Sequence, residues 1–431
     1  MSLDFETVNI KSIANVTMGQ SPKSKFYNED YKGIPFLQGN KTFGDKYPTF
    51  ELYTTSIKKV AKKGTVLMSV RAPVGDLNIT TEDICIGRGL CSIKVKKGSN
   101  EFLYYLLKAN ISSLINHSNG TIFSSINKKD IENFELKIPK SIQTQNNILF
   151  ILKNIDKKIT VNKKINSNLE EQILKIFNDW FVKFSLCDEF EESKLGLIPK
   201  GWSVDYLGSG KSSSIIGSGI VDFEGYKVYI ATADVDNSSI INNKTLITLK
   251  NKPSRANMQP IEKSIWFAKM IDSRKLIMVD DYCKNILNNY IFSTGFCGLK
   301  CSEEYFYYLW SFLLTNGFDT MKNNFCTGTT MQAVNNKDIK MINFVLPDLK
   351  TVDKFNIIAK PIFKKIYLNN LEIRKLTKLR DTLLPKLMSG EIDVSKINCD
   401  LNIDIIYEKL KSIIIIIKNF ILNFLKYLWR L

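Results

Sequence analysis

Arginine is scarce in this chain, 7 of its 60 basic residues, so the places where it stands are informative. Arg71 and Arg88 are spaced 17 residues apart in the first half. A guanidinium fork suits bidentate contact with guanine O6 and N7 or with a phosphate. The structural alternative is pairing with Asp76, Glu82 or Asp83. Gly87 and Gly89 flank Arg88 and would let the backbone approach a phosphate, although a plain turn uses glycine equally well. In the second half, Arg255, Asn257 and Gln259 read as a polar loop between apolar stretches, followed by Lys269 and Arg274. Asn and Gln can read adenine through N6 and N7. Thr329, Thr330 and Gln332, with Thr121, Ile122 and Ser124 as their counterparts, are candidates either for donor contacts to DNA or for capping a loop. All of this chemistry is binding chemistry.

Signals for bond-making chemistry are missing. Residues 208–212, Gly-Ser-Gly-Lys-Ser, imitate the end of a phosphate-binding loop, but position 205 is Asp where the motif needs glycine, and no helix pattern follows. There is no Asn/Asp-Pro-Pro-Tyr/Phe tetrapeptide of the kind that holds a flipped adenine, and no glycine-rich cofactor fingerprint after a strand. Glu191 and Glu192 read as solvated charge in a connector. The eight cysteines show no framework spacing, Cys297 and Cys301 lack a second pair to complete a zinc site, and His117 is the sole histidine. No metal and no cofactor on this chain are therefore expected, with free thiols in a reducing cytoplasm. The N-terminus has no apolar core for a secretion signal.

A formal charge of +17 points to a polyanionic partner. The preference for Lys over Arg, with abundant Asn and Ile, is equally what an AT-biased coding sequence would produce. Charge alone therefore decides little.

The elements that must position these residues are duplicated. Residues 120–139 align without a gap on residues 328–347 at an offset of 208, with seven of twenty positions identical. Upstream, residues 101–106 (Glu-Phe-Leu-Tyr-Tyr-Leu) match residues 304–309 at an offset of 203. Downstream, each copy runs into a heptad seam. The first is Ile148, Leu152, Ile155, Ile159, Asn162, Asn166, Leu169, Ile173, Ile176 and Trp180. The second, shifted by 207, is Phe355, Ala359, Ile362, Ile366, Asn369, Ile373, Leu376, Arg380, Leu383 and Leu387. Each would extend about 60 Å as a helix. Two matched stripes predict that the helices pack on each other, and an antiparallel arrangement about a pseudo-two-fold axis would bring Asn162 near Asn369. Pro361 and Pro385 should interrupt or kink the second helix, with Gly390 as its stop. Residues 66–70 and 91–96 read as strands, and the acidic stretch 187–202 as an exposed connector.

Ordered stretches give this architecture a likeness. Residues 64–77 with 86–96, the entry at 198–208, residues 293–296 with 328–334, and the exit at 383–394 resemble, in that order, the specificity subunits of Type I restriction–modification systems. The family's usual Pro-x-Pro and Glu-Gln pair are replaced by a single Pro139 or Pro347, with Gln143 and Gln145 in the first copy alone. The resemblance implies an α+β fold: two tandem mixed α/β target-recognition domains separated by two long helices in an antiparallel coiled coil. The domains would span residues 1–139 and 199–347, the spacer helices 140–186 and 348–390, the linker 187–198, and a C-terminal extension with an apolar helix 391–431. It implies a non-catalytic cytoplasmic subunit that recognises an asymmetric, bipartite site on double-stranded DNA. Its partners would be two methyltransferase subunits, which bind S-adenosylmethionine, and two endonuclease subunits in the restriction form. Two rivals remain: a coiled-coil adaptor that binds protein only, and a self-contained DNA-modifying enzyme. The apolar tail is interrupted by Lys418, Lys426 and Arg430, so packing on the coil or on a partner is expected and no membrane span.

Overall fold

The computed structural model describes residues 4–117, 125–328 and 332–395. Thr329, Thr330 and the expected apolar helix of the C-terminal extension lie outside the described residues. The chain forms two compact units. One comprises the described residues up to Ile159 together with those from Arg374 onward; the other runs from Thr160 to Ile373.

The repeat is carried through to strand order. In the first unit a four-stranded sheet orders Ala14–Met18, Leu90–Val95, Val66–Ser69 and Leu77–Ile79. In the second, the same order is taken by Ser213–Ile215, Phe296–Cys301, Ser264–Ala268 and Leu276–Val279. Beside each lies a sheet built on a parallel pair, Ile34–Leu37 with Ile84–Ile86 and Lys227–Ile230 with Tyr290–Ser293. The parallel strands read as continuous apolar runs because both faces are covered. The identical Asn and Asp of the repeat cap a short helix in each copy. Asn127 accepts from the Asp130 amide, and Asn335 from the amides of Lys337 and Asp338.

The long helices start where capping residues stand. Ser141 accepts from the Thr144 amide ahead of the helix Ile142–Phe177. At the equivalent position, Asp348 accepts from the amide and hydroxyl of Thr351 and from the Trp202 indole, ahead of the helix Leu349–Ser389. The second helix is continuous through Pro361 and Pro385, contrary to the expected interruption. Both prolines and the residues four before them, Ile357 and Asp381, are exposed, so the carbonyls left without an amide partner face water. Gly390, at φ +80°, ends the helix as expected.

Within each unit the two helices run antiparallel. In the first, Asn147 donates to the Val394 carbonyl and Arg380 to Asp156 at 2.9 Å. In the second, Asn162 donates to Glu372, Asn369 to Asn166, and Asn166 to Asn370, each at 2.8 Å. The seam residues Ile148, Leu152, Ile155, Ile159, Ile173, Leu376 and Leu383 are buried, as are Asn162 and Asn369; Leu169, Ile362, Ile366 and Ile373 are half-buried. Each seam asparagine bonds to a residue of the facing helix, rather than to the other asparagine as the pseudo-two-fold would suggest. Near the end of the first helix the stripe slips by one residue: Phe177 and Phe181 are buried in place of Ile176 and Trp180. A π-turn over Asn178–Val182 absorbs the extra residue.

The acidic stretch after it is no loose connector. Phe190–Ser193 pairs with Gly196–Pro199 as a hairpin, and Ile198 and Trp202 enter the core of the second unit. Gly196 supplies the positive φ that the turn requires.

Two predictions follow from these contacts. Burial alone would raise the pKa of Asp348, but the Thr351 amide and hydroxyl and the Trp202 indole hold it below the usual carboxylate range. Its contribution is complete above the unfolded pKa and lost as pH falls through the lower folded one. The stability gap between wild type and Asp348→Asn should therefore be constant near neutrality and close below about pH 4 in thermal unfolding scans. Separately, Arg380→Ala should cost about 3 kcal/mol in denaturant unfolding, because it leaves the half-buried Asp156 carboxylate without the Arg380 charge. The triple change Asp156→Phe, Arg380→Ile, Tyr105→Phe, whose first two members copy Phe363 and Ile173 of the second unit and whose third removes the phenol that loses its acceptor, should recover most of that loss.

Candidate nucleic-acid interface

In the first unit, Leu90 stands opposite Ser69 in the antiparallel pair of central strands. The ladder runs on beyond the strand ends, with the Val70 amide donating to the Gly89 carbonyl at 2.9 Å. Arg71 follows Val70 and Arg88 precedes Gly89, within the turn that the Leu90 amide closes on the Gly87 carbonyl at 3.0 Å, so the two arginines flank this closing bond. On its other side this edge is fixed by the Ile126 amide, which donates to the Val70 carbonyl at 3.0 Å, and by a bridge between Arg71 and Ser125. Both arginines are exposed, and neither has an ion pair among the described residues. Of the acidic residues weighed as their partners, Asp76 accepts from Asn40, and Asp83 from Lys62 and the Lys63 amide.

Gly87 and Gly89 serve this arrangement differently from the expectation of an open backbone. A Cβ on Gly87 would lie 2.8 Å from Gln38 Cα, and one on Gly89 2.6 Å from the Gln38 carbonyl oxygen. These glycines permit close strand packing and thereby seat Arg88, whose amide donates to Ser21 Oγ at 3.1 Å. Ser21 in turn donates to Gln38 Oε1 at 2.9 Å. The exposed Gln38 thus joins the two arginines on one rim.

The second unit repeats the backbone of this rim. The Lys269 amide donates to the Gly295 carbonyl and the Val334 amide to the Lys269 carbonyl, both at 3.0 Å, and Met270 bridges to Ala333. Met270 follows the residue whose amide closes this ladder, and Thr294 precedes the glycine that accepts it. Met270 and Thr294 are therefore the counterparts of Arg71 and Arg88. The parallel pairs, Leu37 with Ile86 and Ile230 with Phe292, make Ala231 the counterpart of Gln38. Sequence reasoning missed Gln38, Met270 and Thr294; the signal for all three is strand register.

The remaining candidates divide. Arg255 is exposed beside the second rim, its carbonyl accepting from the Thr294 amide at 2.9 Å. Asn257 is not in a loop: Ala256–Met258 is an edge strand, and its carbonyl accepts from Gly219. Here the β-compatible alternation of Ala256 and Met258, both buried, prevails over the polar flanks. Gln259 turns its Oε1 inward, where it has no partner. The Lys269 side chain is half-buried, and Gln332 is exposed with its carbonyl bound to the Ile271 amide. Arg274 is committed to internal contacts, with Asp319 at 2.7 Å, Asn316 at 3.0 Å and the Leu314 carbonyl. The phosphate-loop imitation is closed by Asp205, which accepts from the amide and hydroxyl of Ser212. Burial pushes the thiols of Cys91 and Cys297 up to about 12, leaving them protonated. Among the described residues no group of three His, Cys, Asp or Glu side chains could hold a metal, and no helix is long and apolar enough to cross a membrane.

Comparison with known proteins gives the relatives of the chain. Residues 2–171 match the model of the Type I restriction modification DNA specificity domain. The chain is 29% identical to the Type I restriction enzyme MjaIX specificity subunit of Methanocaldococcus jannaschii, over 91% of this chain and 95% of that one. It is 23% identical to the HindI specificity subunit of Haemophilus influenzae, over 84% and 95% of the two chains. In fold it is similar to the crystal structure of a Type I restriction-modification S subunit from M. genitalium, with a TM-score of 0.51 at 17% identity, covering 89% of this chain and 96% of that one.

If the rim arginines are held for a ligand and Arg274 for the fold, their removal should separate cleanly. Arg71→Ala and Arg88→Ala should each change unfolding stability by less than about 0.5 kcal/mol. Arg274→Ala should lower it by about 1.5–3 kcal/mol, the worth of hydrogen bonds to a charged group.

Proposed function

The chain belongs to the family of Type I restriction–modification specificity subunits, and from that premise we propose that it reads an asymmetric, bipartite DNA site, one half with each recognition domain. The observation that carries this reading is a duplicated backbone rim furnished with unlike side chains: Arg71, Arg88 and Gln38 in one unit, Met270, Thr294 and Ala231 in the other. Identical scaffolds with different edges suit two different short sequences. The many lysines of the chain supply affinity by neutralising phosphates, and the rim side chains supply discrimination at base edges.

In this reading the chain makes and breaks no bonds. Two methyltransferase subunits bind S-adenosylmethionine and modify an adenine that must leave the stack to be reached; two endonuclease subunits join them for restriction. The specificity subunit clamps the duplex in the cytoplasm while its partners act. Val161 and Leu368, equivalent positions of the two long helices, are exposed apolar residues that offer a partner protein a contact surface.

The test is adenine-methylation mapping of a genome in cells that express the methyltransferase subunits with and without this chain. A split, asymmetric motif that appears with the chain alone supports the reading. An assembled complex that yields no motif, and whose DNA affinity does not fall by orders of magnitude over a few-fold rise in salt, would favour a protein-binding adaptor.

A further inference from the structure

Taking the specificity reading as its ground, we infer that the half-site of the first unit contains a G·C pair contacted by Arg71 and Arg88, whereas that of the second contains an A·T pair contacted at the thymine methyl by Met270 and Thr294. The two rims are backbone copies, so their chemistry can be compared position by position. Arg71 and Met270 each follow the residue whose amide closes the ladder, Val70 onto Gly89 and Lys269 onto Gly295. Arg88 and Thr294 each precede that glycine. Gln38 and Ala231 each follow the last residue of the parallel pair.

At all three positions the first rim carries hydrogen-bond donors and the second does not carry a nitrogen donor. Two exposed guanidinium forks without counter-ions among the described residues, beside a side-chain amide held by Ser21, suit the acceptor pair of guanine in the major groove. A thioether, a threonine and an alanine suit a methyl group, which thymine alone presents there. Met270 is 40% exposed, so part of its thioether side chain is accessible to a ligand. The second rim does not lack positive charge. Arg255, exposed beside Thr294, supplies a cation for the neighbouring phosphate, so the methionine and threonine are free to discriminate.

The experiment extends methylation mapping to variants of the full complex. Wild type should give a split motif. Arg71→Ala and Arg88→Ala should each make a G·C position of one half degenerate, with at least about tenfold loss of discrimination, and leave the other half intact. Met270→Ala and Thr294→Ala should relax an A·T position in the other half alone. Arg88→Lys, which keeps the charge and loses the fork, guards against misfolding and should relax the same position as Arg88→Ala. Unchanged motifs in variants that assemble, relaxation of an A·T position by the arginine variants, or uniformly weaker methylation without degeneracy (the mark of phosphate contact) would each overturn the inference while leaving the specificity reading in place. An assembled wild-type complex with no split motif would overturn both.

Discussion

Arg380 reaches from the second long helix to Asp156 on the first, and Tyr105 donates to the same carboxylate from the helix Asn100–His117. Three segments far apart in the chain are thereby fixed at one carboxylate, with Arg380 also bound to Asp381. Burial, with the charge of Asp156 adding to it, pushes the Tyr105 phenol up, so it keeps its proton and remains a donor. Together with the Lys153–Glu101 ion pair at 2.7 Å, this junction holds the recognition domain of the first unit on its helices. An ion pair at such a place adds little stability over a good apolar contact, but it tolerates few other arrangements.

The second unit meets the same requirement with different chemistry. The positions equivalent to Asp156 and Arg380 are Phe363 and Ile173, both buried in a cluster with Phe177, Phe181, Tyr308 and Phe355. Tyr307 stacks on Phe363 with ring centroids 6.2 Å apart, and Tyr308 turns its hydroxyl to the Val345 carbonyl. One duplicated framework thus holds its domains by a charged junction in one copy and an aromatic one in the other. The polar layer of Asn162, Asn166, Asn369, Asn370 and Glu372 then distinguishes the pairing of the helices from one that is shifted by a heptad, since any slip would bury these groups without partners.

The rims repeat this pattern of conserved backbone and exchanged side chains. The requirements of the scaffold are strict there: glycines at 87 and 89 leave no room for a Cβ, and the ladder must close on Gly89 and Gly295. The exposed side chains beside them meet no such requirement, which is what a reader of different sequences needs.

Local physics made the framework legible in the sequence. A heptad stripe and an alternating strand are each decided within a few residues, and the recurrence of the stripe and of the blocks before it at offsets of 203 to 208 identified two copies and two long helices. Arg71 and Arg88 were also visible as chemistry. What tertiary structure alone decided was company. That Arg71 and Arg88 flank one closing hydrogen bond, that Arg274 is spent on Asp319, that Asn257 lies in an edge strand, and that Met270 and Thr294 hold the places of Arg71 and Arg88 all depend on which distant segments meet. Those meetings, strand register among them, are set by packing between residues distant in sequence, so no short stretch encodes them, and a slip of one residue in a strand pair would turn its side chains to the opposite face.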